Sequence, residues 1–207
     1  EAVKWARQAG FENLSLDLIF GLPDQTPVVW GHSLDLALSL APEHFSLYAL
    51  TIEPGTPLGN WFNRGLIPEP DPDLAADMYE LASEKLSQGG YLQYEISNWA
   101  QSMEADHQSF TSAPALASRH NLQYWYNLPY LGLGAGAHGF AHGCRTVNQL
   151  SPQKYIQKLK NSISSEYDFP KTVATVDIER VDRQREISET MLMGLRLTRE
   201  GVSNERF

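Results

Sequence analysis

An α/β fold of repeated β/α units with parallel strands, the arrangement of a partial barrel, followed by a small mainly helical tail, is the class this chain predicts. Three observations carry it. The stretch Ser15–Phe20 alternates apolar and polar residues and ends at Gly21-Leu22-Pro23, as a strand does when its following loop faces a site. Amphipathic helical patterns separate the strand-like stretches, which is how parallel strands are connected. Finally, ARQAGFENLSLDL from Ala6 and LSQGGYLQYEIS from Leu86 share one layout of helix, Gly, aromatic and strand.

In order, Val3 and Ala6 share a helical face and Gly10 closes that helix. Leu14 to Leu22 reads as a strand with Ser15, Asp17 and Ile19 on one side and Leu16, Leu18 and Phe20 on the other. Thr26-Pro27 is a cap and first-turn pair, after which Trp30, Leu34, Ala37, Leu38 and Ala41 fall at helical spacing until Pro42. Phe45 to Ile52 is the next strand, predicted to run parallel to the first through a right-handed crossover. Asp71-Pro72 opens a helix with Leu74, Met78, Leu81, Ala82 and Leu86 on one face. Tyr91 to Asn98 is expected to be the third strand. Gln101 to Ser118 has no apolar period and reads as a mobile loop. Ser151-Pro152 caps a short helix, and Ile187, Met191 and Leu195 mark a last one. The expected organisation is 1–100 as barrel, 101–150 as loop and glycine-rich segment, and 151–207 as the start of a helical domain. Both ends read as cut from a longer protein.

Composition narrows the function classes. With 25 acidic against 16 basic residues the formal charge is -9, which opposes sequence-independent binding to phosphate backbones. No nucleic-acid partner is expected. No apolar run approaches the roughly 18 residues of a membrane span, and no signal peptide is visible. Cys144 is the one cysteine, so neither an intrachain disulfide nor a thiolate cluster can come from these residues, in keeping with a reducing, cytoplasmic setting.

The densest chemistry lies between Arg119 and Gly139, RHNLQYWYNLPYLGLGAGAHG. Aromatic rings offer stacking surface and glycines let a backbone approach closely, which suits a flat or apolar ligand. His120 is a candidate ligand to a haem iron through a neutral imidazole, with Tyr124 and Trp125 as stacking partners. The ordinary alternative is an imidazole bonded to backbone and two core aromatics. GAGAHG matches GxGxxG formally, yet no strand and helix flank it and no acidic residue follows at the required distance of about 20 residues, so a dinucleotide site is rejected. His138 and His142 have helical metal-pair spacing, but Gly139 between them argues against a helix. At the strand ends, Asp17, Thr51, Glu53 and the Glu95–Asn98 stretch are the polar candidates. A carboxylate inside a barrel costs several kcal/mol unless partnered, so Asp17 predicts a ligand donor or a buried cation.

Taken together, SLDLIFGLPDQT, HFSLYALTIEPGTPL, YEISNWA, RHNLQYW and YLGLGAGAHG resemble the radical S-adenosylmethionine family that contains the oxygen-independent coproporphyrinogen III dehydrogenases and the HemW-type haem chaperones. The resemblance implies a partial (β/α)6 TIM-type barrel, of which this chain is the C-terminal portion, and a 4Fe-4S cluster that binds and cleaves S-adenosylmethionine. It assigns Asp17 and Ile19, and with them Thr51 and His138, to S-adenosylmethionine. HNLQYW matches the HNxxYW motif of the chaperone branch, which assigns His120, Asn121, Tyr124 and Trp125 to haem. The chaperone branch implies haem as ligand and acceptor haem proteins as partners; the dehydrogenase branch implies oxidative decarboxylation of coproporphyrinogen III. A β/α binding module without redox chemistry is the reading from a third class. The family's CxxxCxxC motif is absent from these residues, so the fragment alone is expected to show no turnover.

Overall fold

The structure, a computed structural model, describes residues 1–103, 106, 112–161 and 168–204. Two compact units emerge, one built on Glu1–Ser118 with Thr198–Glu200, the other on Arg119–Leu197.

The first unit is the α/β part. Strand β1 (Ser15–Phe20) and strand β2 (His44–Ala49) are parallel, joined through helix α2 (Pro27–Ser39). Thr26 caps α2 by accepting the Val29 N–H, with Pro27 at the first turn, as its sequence predicts. Helix α1 (Ala2–Gln8) precedes them. Its Arg7 guanidinium grips both Glu43 carboxylate oxygens at 2.8 and 2.9 Å, while the Leu14 N–H donates to the same group at 2.7 Å. Burial pushes the Glu43 carboxyl up, but these donors outweigh it and hold the group below its ordinary range. The start of β1 is thereby tied to the start of β2.

After β2 the chain forms helix α3 (Pro57–Asn63), capped by Thr56, and helix α4 (Pro72–Gln88), capped by Asp71. Helices α2 and α4 cover one face of the sheet. Phe20, Trp30, Leu34, Phe45, Leu47, Met78, Ala82, Leu86, Tyr91 and Trp99 make one buried cluster there. The Trp30 indole N–H is satisfied by the Met78 carbonyl at 2.9 Å, so the largest core side chain leaves no polar atom unpaired.

The third strand expected over Tyr91 to Asn98 is two strands. Strand β3 (Tyr91–Glu95) turns at Ile96-Ser97 into strand β4 (Asn98–Gln101), and the sheet order is β1-β2-β4-β3. β4 runs antiparallel to both β2 and β3, so the sheet is mixed. The reversal is local: the Glu95 carboxylate accepts the Ser97 N–H at 3.1 Å and the Asn98 amide. A side-chain acceptor replaces the Gly or Asn-Gly that usually marks such a turn.

The loop expected over Gln101 to Ser118 lies partly outside the described residues. Its described end is held by the Ala113 N–H donating to Glu200 at 2.6 Å and by Arg199 donating to the Ser112 carbonyl at 3.1 Å.

The second unit contains helix α5 (Arg119–Trp125), an antiparallel sheet of β5 (His138–Ala141), β6 (Cys144–Asn148) and β7 (Thr175–Arg180), and helices α6 (Pro152–Asn161) and α7 (Arg183–Gly194). β7 lies between the two helices expected in the tail. The β5–β6 turn is His142-Gly143, both at positive φ (50° and 68°), the pattern that matches strand twist in a two-residue hairpin. His138 therefore sits on a strand and His142 in a turn, which removes the helical metal pair.

The first and last glycines of GLGAGAHG, Gly132 and Gly139, sit at close approaches within the chain. A Cβ on Gly132 would overlap the His138 carbonyl, and one on Gly139 would lie 2.8 Å from the Thr146 hydroxyl. Asn148 donates to the carbonyls of Gly132 and Gly134 at 3.0 and 3.1 Å, fixing the loop against β6.

Candidate functional site

In the first unit the sheet face opposite the helices is polar. Register alone builds it: Ser15 is level with His44, Asp17 with Ser46, and Ile19 with Tyr48, while His44 pairs with Ala100 and Ser46 with Asn98. Side chains alternate along each strand, and Leu18, Phe20, Phe45, Leu47 and Trp99 pack on the helix side. Ser15, Asp17, Ile19, His44, Ser46, Tyr48 and Asn98 consequently share the other face. Ser15, Asp17, Ile19 and Tyr48 are exposed; His44, Ser46 and Asn98 are buried.

His44 is the centre of this face. Its Nδ1 lies 2.8 Å from the Ser15 hydroxyl and its Nε2 2.8 Å from the Tyr94 hydroxyl. Burial lowers its pKa from 6.5 to about 4, and the nearby Asp17 carboxylate opposes that only in part. The imidazole is neutral at physiological pH. Burial likewise pushes the Tyr94 phenol above its ordinary value. Asn98 has a second feature: its amide N–H faces the fully buried Glu95 carboxylate, leaving its carbonyl oxygen buried without a donor among the described residues. Because a carboxylate only accepts, the orientation of that amide is determined by its neighbour. The face thus displays an exposed carboxylate that accepts, a hydroxyl that can accept or donate, and a buried amide oxygen that accepts.

At the C-terminal ends of β1 and β2 a cleft of ≈ 240 Å³ is lined by Gly21–Gln25, Ala49, Leu50, Ile52 and the segment leading into α4. Thr51 lies in the exposed loop just beyond β2, between two lining residues. The first unit therefore brings Asp17 and Ile19 together on one face, with Thr51 past the end of the neighbouring strand.

The remaining candidates belong to the second unit. His138 is exposed at the start of β5, paired with Val147. His120, Asn121, Tyr124 and Trp125 are all on α5. The i, i+4 spacing stacks the His120 imidazole edge-on against Tyr124 at 5.0 Å, and Tyr124 in turn meets Tyr130 at 4.7 Å. His120 is exposed, whereas Asn121, Tyr124 and Trp125 are half-buried. The Arg196 guanidinium lies 4.3 Å from the Trp125 ring centre, within cation–π range. The Trp125 indole N–H is buried and has no acceptor among the described residues. Asn127 donates to Thr190 at 3.1 Å and anchors the end of α5 to α7. Sequence reasoning picked out the aromatic motif but not Arg196, whose role depends on a helix far along the chain. It also missed His44, Ser46 and Tyr94, whose place on the face becomes visible only once the strand register is known.

Among the described residues no group of three His, Cys, Asp or Glu side chains is placed to hold a metal, and no helix is long and apolar enough to cross a membrane.

No protein-family model matches the chain. It is 42% identical over 202 residues to the haem chaperone HemW of Bacillus subtilis, covering 98% of this chain and 48% of that protein. It is 37% identical to HemW of Synechocystis, covering 96% and 43%. A mouse mitochondrial radical S-adenosyl methionine domain-containing protein is 41% identical over 126 residues, 61% of this chain and 26% of that one. The solved structure of Escherichia coli coproporphyrinogen III oxidase HemN, described as a radical SAM enzyme, aligns with a TM-score of 0.67 at 20% identity, covering 94% of this chain and 43% of HemN. The fold is thus the mixed α/β fold of a radical S-adenosylmethionine protein. In sequence the chain is similar to HemW haem chaperones, and in fold to HemN, over the C-terminal part of those proteins. It spans about half the length of the curated HemW relatives it matches, 48% and 43% of the two given above.

Proposed function

We propose that this chain is the C-terminal part of a cytoplasmic haem chaperone of the HemW type, which binds haem and passes it to acceptor haem proteins. The observation that carries the reading is the 42% identity, over nearly the whole chain, to a protein of that name. The likeness to HemN, at 20% identity, speaks to fold alone. In this reading the barrel portion falls in the first unit, and both motifs of the 119–139 stretch fall in the second, which carries the β5-β6-β7 sheet as well as helices.

The residues present fit two of the three groups that the family implies. Haem suits α5, where an exposed imidazole stands on an aromatic neighbour and a buried indole N–H awaits an acceptor. His120 is the iron ligand in this reading, Tyr124 and Trp125 supply ring surface, and Asn121 orients the site. S-adenosylmethionine suits the polar face of the first unit, where the exposed Asp17 carboxylate accepts from ligand donors and Ile19 gives apolar contact, with Thr51 proposed as a further contact; the resemblance also assigns His138, a residue of the second unit. A 4Fe-4S cluster needs thiolates, and Cys144 alone does not supply them. The cluster ligands therefore belong to the part of the longer relatives that this chain does not span. In the family the cluster and S-adenosylmethionine together supply radical chemistry.

Two substitutions in the full-length protein test the reading as a pair. Asp17→Asn removes a charged acceptor and weakens S-adenosylmethionine binding about tenfold or more, with haem binding retained. His120→Ala does the reverse, abolishing the haem absorbance band while S-adenosylmethionine affinity stays. Unchanged affinity in either case removes that residue from its site.

A further inference from the structure

The hydrogen bonds around His44 have only one arrangement that leaves no buried proton stranded. The Ser118 N–H donates to the Tyr94 oxygen at 3.1 Å. Tyr94 is 1% exposed, so its own O–H must also find an acceptor inside the protein, and the partner within reach is His44 Nε2 at 2.8 Å. Placing the imidazole proton on Nε2 instead would leave the phenol hydrogen buried without an acceptor among the described residues. Nε2 is therefore the acceptor. A neutral imidazole has one N–H, which falls on Nδ1 and points at the Ser15 oxygen 2.8 Å away. With its oxygen already receiving a proton from His44, the exposed Ser15 hydroxyl has its own hydrogen free to donate outward, on the face that carries Asp17 and Ile19.

We infer that Tyr94 and His44 fix the Ser15 hydroxyl as a directed hydrogen-bond donor to the ligand of this face, beside the Asp17 acceptor. Ser15 touches the ligand; His44 and Tyr94 are positioning residues that act through it. The site then pairs one donor with one acceptor two residues apart on the same strand face, and selects a ligand that presents an acceptor atom next to a donor. This rests on the reading of that face as the S-adenosylmethionine site. The tautomer, however, is a property of the chain itself.

The first measurement is a long-range 1H–15N correlation spectrum of the His44 imidazole at neutral pH. A proton on Nδ1 is expected, and a proton on Nε2 overturns the proposal. The second is S-adenosylmethionine affinity by calorimetry in the full-length protein with its cluster reconstituted. Ser15→Ala is expected to weaken binding about tenfold and, by leaving the His44 Nδ1–H without its acceptor, to lower the unfolding midpoint, and Ser15→Thr to restore both. Tyr94→Phe removes the O–H that holds the proton on Nδ1 and leaves Nε2 without its partner in either tautomer, so the two tautomers are expected to mix and binding to weaken less than in Ser15→Ala. If Asp17→Asn weakens binding while Ser15→Ala and Tyr94→Phe leave it unchanged, the inference about Ser15 fails and the site reading stands. If Asp17→Asn also leaves affinity unchanged, the site reading fails and the inference falls with it.

Discussion

His44 illustrates how one residue takes its character from its surroundings. Nothing in PEHFSLY distinguishes it from a surface histidine, yet it is 5% exposed between two hydroxyls. Its pKa near 4, against 6.5 when unfolded, gives a signed consequence. The unfolded chain takes up a proton below pH 6.5 and the folded chain only below about 4, so stability falls as pH drops through that window and is unaffected above it. Between pH 7 and 5 the loss comes to about 2 kcal/mol at 1.36 kcal/mol per pKa unit. Urea unfolding at both pH values should show this loss in the wild type and its absence in His44→Gln; equal pH dependence in the two would contradict the assignment. The side of β1 that Asp17 takes was legible from strand alternation, but the buried setting expected for its carboxylate is not observed: Asp17 is exposed, level with Ser46.

At the scale of elements, periodicity was the readable signal. The faces of β1, α2 and α4 follow from apolar spacing and from the caps Thr26 and Asp71, since these patterns are local. Helix α3 was missed although Thr56-Pro57 repeats the Thr26-Pro27 signature; its seven residues are too few for an apolar period to show. The β3–β4 reversal was hidden because Glu95, a strand residue by pattern, makes the turn with its side chain. The β5–β6 hairpin carried a readable His-Gly signal, obscured by attention to the two histidines as ligands. The glycine segment was read for what it binds, while its close approaches are to its own chain. Gly132→Ala tests this: its Cβ would overlap the backbone of β5, and overpacking of that kind costs about 2–3 kcal/mol. Leu133→Ser, at a position 86% exposed, should stay within about 0.5 kcal/mol. A Gly132→Ala variant as stable as the wild type in thermal unfolding would mean that the loop is free to move away.

At the scale of the molecule, the two units divide the chemistry between them. The first carries the polar sheet face of Ser15, Asp17 and His44; the second carries the HNLQYW helix with its exposed imidazole. Five collinear motifs made the family legible in the sequence, while what packs against what within each unit, such as Arg196 over Trp125, needed the fold. The HNLQYW motif lies on α5, far in sequence from β1, which carries Asp17 and Ile19. The most direct test of the account mixes the haem-loaded full-length protein with an apo acceptor haem protein and follows the haem absorbance. The account predicts that haem leaves the chaperone and reconstitutes the acceptor, with coproporphyrinogen III left unconverted under reducing conditions. Conversion of coproporphyrinogen III to protoporphyrinogen IX, with no haem delivered, would contradict it.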